Sequence, residues 1–298
     1  MPSDLRVSCR YANSQIFEFS DQYVMHIFHM NGCGNRFVVF DGRARPWRKT
    51  AEEIRQIAHP NGEQAFDQII GMESTPNGDV FMRIWNADGS EVSACGNATR
   101  CVGWLVQRET RQEEILIETE AGLLKARAAG DDMITVDMGE PRLEWEEIPL
   151  AEKMDTRFVD IKIGPMDNPV LSRPSCVNMG NPHAVFFVDD VNAYDIPAVG
   201  PLAEWHPLFP EGVNVGFAQV IDRQTIRLRV WERGAGLTLA CGTGACAAAV
   251  AAARLGRTER KVKMILDGGE LHIEWRESDN HVLMTGPVEL EGELQIAS

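Results

Sequence analysis

No stretch of this chain supplies the roughly 18 consecutive apolar residues that a membrane-spanning helix requires. No Cys-x-x-Cys pair occurs either. The seven cysteines, Cys9, Cys33, Cys95, Cys101, Cys176, Cys241 and Cys246, are odd in number. A secreted disulfide framework and a structural zinc site are therefore poorly supported, and no metal is expected. Free thiols in a reducing compartment follow, most of them acting as small buried hydrophobes. Positive charge is scarce: 29 Lys and Arg stand against 44 Asp and Glu, a net charge of -15. Such a surface repels phosphate backbones, so nucleic acid is not an expected partner. The opening "MPSDLRVSCRYANSQIFEFSDQ" has no continuous apolar core and does not read as a secretory signal, so a cytoplasmic location is expected, with no membrane partner. "GCGNRF" lacks the third glycine and the βαβ context of a dinucleotide-binding loop.

What is present is ordinary in bulk and unusual in pattern. With 298 residues, 44% of them hydrophobic, the chain has material for two cores, at roughly 150 residues per domain. It also repeats itself. "RIWNADGSEVSACGN" (83–97) lies without a gap on "RVWERGAGLTLACGT" (229–243), so that Cys95 falls on Cys241, 146 residues on. In the same register Gly34-Asn35 falls on Gly180-Asn181 and Gln68 on Asn214. Further along, Gly122 falls on Gly268, and Val136, Met138 and Pro141 fall on Val282, Met284 and Pro287. A period this long is a duplicated domain rather than a solenoid. Two homologous lobes related by a pseudo-twofold are expected; their equivalent segments could face across a cleft, although a repeat of this kind could also stack side by side.

Each lobe reads as several strands with few helices. "VFMRIW", "ILIE" and "MITV" signal strands in the first; "AVFFV", "TIRLRVW" and "LHIEW" do so in the second. A helix is expected after each repeat cysteine. In the first, Ala98, Cys101, Val102, Leu105 and Val106 form one apolar stripe. The second, "GACAAAVAAARL", is apolar nearly all round, which suits a helix enclosed by sheet, and Gly256 suits its end. Thr50 with Glu53 makes a capping box for another helix. The expected class is α+β, of the α/β roll type. The expected division is an N-terminal extension over 1–24, a first lobe of 25–141 with 287–298, and a second lobe of 142–286.

Each repeat cysteine stands between a strand and a helix start. The first N–H groups of a helix lack partners within it and carry partial positive charge, so they bind carboxylates. The same field favours thiolate, with values at such places falling to roughly 3.5–7.5. Asn97 and Thr243 suit the helix entrance. Either cysteine alone could be a small residue buried at a tight junction. Two at equivalent places suggest proton transfer instead. A thiolate takes a proton from a carbon next to a carboxylate, and a thiol on the other face returns one, inverting the centre. Cys101 and Cys246 do not share the register and are expected in the core.

"NADGSEVSACGN", "MGNPHAVFFV", "GVNVGFA" and "WERGAGLTLACGTGA" resemble the diaminopimelate epimerase family over about residues 25 to 292. The resemblance implies two similar lobes, each a curved, mostly antiparallel sheet around a central helix, with the active site between them. It implies interconversion of LL- and meso-diaminopimelate without a cofactor, in lysine and peptidoglycan precursor synthesis. Cys95 and Cys241 would be the acid/base thiols, with Glu232 and His183 supporting catalysis near them. Gly96-Asn97 and Gly242-Thr243 would hold the reacting carboxylate. Asn35, Gln68, Asn86, Asn181, Asn214, Glu232 and Arg233 match substrate-contacting positions. Amides suit a zwitterion because they both donate and accept. Glu232 can pair with an ammonium, and Arg233 can grip the distal carboxylate bidentately. Arg36, Cys33, Leu237 and Ala98-Thr99 depart from the family pattern, and none of these removes a thiol. The resemblance implies a homodimer, an expectation weakened by Leu290, which stands where the family often has an aromatic associated with dimer contacts. Glu232-Arg233 read alone is also a solvated strand end, and His183 a loop histidine. Competing readings are a proline racemase-like two-thiol enzyme, a relative of phenazine-type isomerases, and a non-catalytic amino-acid-binding protein.

Overall fold

The computed structural model describes residues 24–45, 47–60 and 65–297. The expected extension lies outside these residues, except Val24, which opens the first strand. Among the described residues there are four α-helices: α1 (Ala51–Ala58), α2 (Gly96–Thr110), α3 (Ile196–Glu204) and α4 (Gly242–Arg254). Seventeen strands join into one mixed, mostly antiparallel sheet that runs through both halves of the chain.

The duplication is written into the hydrogen bonding. Phe37 pairs with Gln68 in parallel, and His183 pairs with Asn214 in parallel, each partner 146 residues on. Ile69 lies opposite Trp85, as Val215 lies opposite Trp231. After the central helices the match drifts. Gly122 closes its hairpin opposite Thr119, and Gly269, not Gly268, does so opposite Leu266. Both turn glycines have positive φ, 126° and 144°, which an L side chain resists. Further on, Ala126 pairs with Val136 while Ile273 pairs with Met284. The gapless matches of Gly122 with Gly268 and of Val136 with Val282 are therefore corrected. The pairing sets equivalence here: the second half gains one residue between Gly242 and Leu266 and another between Ile273 and Met284.

Both cysteine-led helices are enclosed by strands. Helix α2 is buried from Gly96 through Gly103, and α4 from Gly244 through Ala252. Alanine explains the second case. With one methyl per residue, the helix backbone can lie close to sheet on every side without crowding. One continuous core holds the buried faces of both helices together with Met30, Phe37, Val136, Val230 and Met284. The halves are also stitched by strand pairing. Met133–Asp137 runs antiparallel to Val282–Pro287, with the Thr135 and Thr285 hydroxyls 2.7 Å apart. The last strand, Glu289–Ala297, returns to pair with Val24–Gly32.

Outside this centre each half carries its own flanking layer. Trp85 packs edge-on to Trp47 beside α1. Its counterpart Trp231 lies in a separate core with Phe217 and Val199, and its Nε1 donates to Glu204 Oε2 at the end of α3. The capping box at α1 is present: Glu53 N donates to Thr50 Oγ1 and Thr50 N donates to Glu53 Oε2.

Candidate active site

Cys95 and Cys241 are the N-cap residues of α2 and α4, both with extended backbone. The Cys95 thiol faces the first-turn N–H groups of Asn97 and Ala98, and the Cys241 thiol that of Gly244. Asn97 and Thr243 sit inside the first turns, a correction to their expected place at the entrance. The helix starts converge on the Met284 side chain. A Cβ added to Gly96 would lie 2.7 Å from Met284 Cε. One added to Gly242 would lie 3.0 Å from Met284 Sδ and 3.3 Å from Asn97 Oδ1. A larger residue at either place would have to displace the Met284 side chain, against which both helix starts lie.

Burial overrules the expected thiol acidity. It pushes Cys95 up, opposed by the N–H groups of Ala98 and Asn97. It pushes Cys241 well above its ordinary value, with the Glu232 carboxylate adding to the rise. The expectation of depressed values in both is corrected: removing an anion from water costs more than the helix field returns. Cys241 is 4% exposed, whereas Cys95 is half-buried. Cys101 and Cys246 are fully buried and pushed to about 12, which places them in the core.

Glu232 ends the strand Thr225–Glu232 and lies near both thiols. Burial raises its carboxyl, and hydrogen bonds from Thr238 and Cys241 oppose that. Thr243 Oγ1 is 3.6 Å from Cys241 Sγ. His183 is buried; its Nε2 meets Asn181 Oδ1 at 2.9 Å, and its Nδ1 is without a partner among the described residues. Burial, with the Arg233 charge assisting, lowers it to about 3, so it is neutral near pH 7.

The amides are held by hydrogen bonds. Gln68 Nε2 donates to Asn86 Oδ1, and Asn86 Nδ2 donates to Ser90 Oγ. Asn97 Nδ2 donates to Asn35 Oδ1 at 2.5 Å. Asn214 is engaged at both ends, accepting from Arg233 N and donating to Pro182 O. It shapes the turn that carries Arg233. That guanidinium is exposed, with Nη1 donating to Glu211 O.

Three supporting residues were invisible to sequence reasoning. Thr238 holds Glu232. Glu204 holds Gly234 N and Trp231. Arg100 is fully buried and donates to Asn97 Oδ1. Arg100 stands off the expected stripe of Ala98, Cys101, Val102, Leu105 and Val106, on what reads as the polar face, so the pattern gave no sign of its burial.

The diaminopimelate epimerase family profile matches residues 27–144 and 175–291, one segment in each half. The chain is 55% identical over 267 residues to the diaminopimelate epimerase of Phenylobacterium zucineum, covering 89% of this chain and 96% of that one. It is 52% identical over 271 residues to that of Caulobacter sp. (strain K31), covering 88% and 94%. Among solved structures, a hydroxyproline epimerase from Agrobacterium vitis superposes with a TM-score of 0.65 at 17% identity, covering 92% of this chain and 91% of that one. A phenazine biosynthesis protein of the PhzF family from Bacillus anthracis does so with a TM-score of 0.62 at 16% identity, covering 92% and 99%. These two likenesses concern the fold, which is the two-lobed α+β arrangement expected from the repeat.

Proposed function

The chain belongs to the diaminopimelate epimerase family and is an isomerase interconverting LL- and meso-diaminopimelate; on that premise we propose that Cys95 and Cys241 are the bases that work from opposite faces of the substrate α-carbon. What supports this is that Gly96 and Gly242, which follow the two repeat-related N-cap cysteines, both lie against the Met284 side chain, and that Glu232 acts on both thiols.

In one direction the Cys95 thiolate takes the α-proton, and the electron pair of the C–H bond spreads into the α-carboxylate. The Cys241 thiol gives its S–H proton to the opposite face. The product leaves with Cys95 as thiol and Cys241 as thiolate, and the reverse reaction exchanges the roles. Negative charge growing on the carboxylate meets the backbone N–H groups of Gly96, Asn97, Gly242 and Thr243, whose dipoles need no reorganisation. Cys95 is the thiol more readily ionised at rest: the Glu232 anion opposes both thiolates, but at Cys241 it ranks next after burial and is joined by a hydrogen bond from the thiol, whereas at Cys95 the N–H groups of Ala98 and Asn97 outrank it.

Glu232 pairs with the ammonium of the reacting end. Its second task is to disfavour a resting Cys241 thiolate. His183 cannot serve as an acid when neutral, so its part is to orient Asn181. Arg233 takes the distal carboxylate, positioned by Asn214 through its backbone. Asn35, Gln68, Asn86 and Asn181 complete the contacts to a zwitterion. The lobes are residues 25–141 with 287–298, and 142–286. The setting is the cytoplasm and the assembly a homodimer. Leu290 packs against the main core.

The deciding experiment incubates the protein with LL-diaminopimelate in deuterium oxide and no added cofactor. The meso isomer should appear carrying one solvent deuteron at the inverted carbon. Absence of both isomerisation and exchange would overturn the assignment.

A further inference from the structure

Arg100 is fully buried, and among the described residues the ionisable groups that act on it are thiols, not carboxylates. Its Nη1 donates to Asn97 Oδ1 at 2.8 Å and touches Met284 Sδ at 3.6 Å; its Nε reaches Pro287 O at 3.5 Å. Its Nη2 has no partner among the described residues. A buried guanidinium without a counterion is costly to stability, and a core of Met284, Leu271 and Cys101 would accept an apolar side chain in its place. What the cation does is visible in its contact. Arginine donates and never accepts, so the Asn97 atom facing it must be the carbonyl oxygen. The Asn97 amide nitrogen is then forced toward Asn35, and the Asn35 atom facing that nitrogen must also be its oxygen. The Asn35 NH2 group is left as the donor available to a ligand. Asn97 Oδ1 meanwhile lies 3.3 Å from where a Cβ of Gly242 would stand, at the meeting of the two helix starts.

We propose that Arg100 is a positioning residue that fixes the direction of the Arg100–Asn97–Asn35 hydrogen-bond chain, so that Asn35 presents its amide N–H groups to a carboxylate oxygen of the substrate. It touches no substrate itself. In its absence both amides can turn over, and a carbonyl oxygen then faces an anionic group. The effect falls on binding of substrate rather than on proton transfer. This inference rests on the epimerase reading above.

The test compares Arg100→Met, Arg100→Lys, Asn35→Ala and the double variant Arg100→Met/Asn35→Ala, using epimerisation rates with diaminopimelate and thermal unfolding. Arg100→Met should unfold at the same temperature as the parent or higher, because a desolvated charge is gone. Its KM should nonetheless rise about tenfold, the scale of one lost charge-assisted hydrogen bond, with kcat within about twofold. Arg100→Lys keeps a donor for Asn97 and should recover part of the affinity; it also carries the test if the methionine variant does not fold. Effects of Arg100→Met and Asn35→Ala on KM should fail to multiply in the double variant, since both act through one chain. An unchanged KM in Arg100→Met, no recovery with lysine, or fully multiplicative effects would each overturn the proposal. Failure of the parent protein to epimerise would instead strike the family reading, so the two failures are distinguishable.

Discussion

Thr238 Oγ1 donates to Glu232 Oε1 at 2.6 Å, and Glu232 in turn stands beside the Cys241 thiol. The hydroxyl holds the carboxylate as an anion against the burial that favours its protonated form. Replacing Glu232 by Gln should therefore act twice. Loss of the charge pair with the substrate ammonium should lower kcat/KM by about 10–100-fold, as for hydrogen bonds to charged groups. The pH at which Cys241 becomes reactive to a thiol reagent should move down, because a neighbouring anion no longer opposes the thiolate. Steady-state kinetics and pH-dependent alkylation of the variant check both. An unmoved alkylation midpoint would show that Glu232 does not govern that thiol.

Removing either thiol should stop inversion while leaving substrate binding in place. Cys95→Ala and Cys241→Ala should each lose about 10²–10⁴-fold in epimerisation, the usual range for a positioned acid or base. An equimolar mixture of the two variants should show no recovery, because both thiols act within one chain. Solvent deuterium uptake followed by mass spectrometry reads each case. Uptake at the parental rate in either variant would remove that cysteine from the mechanism.

The two thiols should also differ in reactivity. Cys95 is half-buried and receives two backbone N–H groups, whereas Cys241 is 4% exposed, receives one and is hydrogen-bonded to the Glu232 carboxylate. Iodoacetamide at pH 8 should modify Cys95 first, with inactivation tracking that single adduct in peptide mapping. Mild oxidation should then join Cys95 to Cys241, and reductant should restore activity. A crosslink of either to Cys33 or Cys246 would contradict the facing arrangement.

What the sequence disclosed and what it hid follow from range. The repeat, the helix starts at Gly96 and Gly242 and the Thr50–Glu53 capping box are carried by neighbouring residues, so local pattern sufficed. The direction of the thiol shifts was misjudged because a helix N-terminus can be read locally, while burial is set by the whole enclosing sheet. The drift of equivalence past α4 was hidden because a gapless comparison cannot register one-residue insertions that only strand pairing fixes. Arg100 went unassigned because its burial is set by strands far along the chain, where Met284 and Pro287 lie, although its partner Asn97 is only three residues away.

His183 makes the acid stability of the fold testable. Its ring is buried with one nitrogen on Asn181 and the other without a partner among the described residues, and burial lowers its pKa to about 3. Above about pH 6.5, the ordinary histidine value, folded and unfolded chains both carry the neutral ring, and the group contributes nothing to pH dependence. As pH falls from there toward 3, the unfolded chain takes up a proton that the folded chain refuses. Stability should then be lost at about 1.4 kcal/mol per pH unit from this residue alone. Urea unfolding at pH 6.5, 5.5 and 4.5 should reveal that slope in the parent. His183→Gln, which retains a side-chain donor for Asn181 but cannot titrate, should show a slope smaller by the same amount. Equal slopes in the two proteins would mean that the ring gains a proton without unfolding, through an opening of the site that admits water to Nδ1.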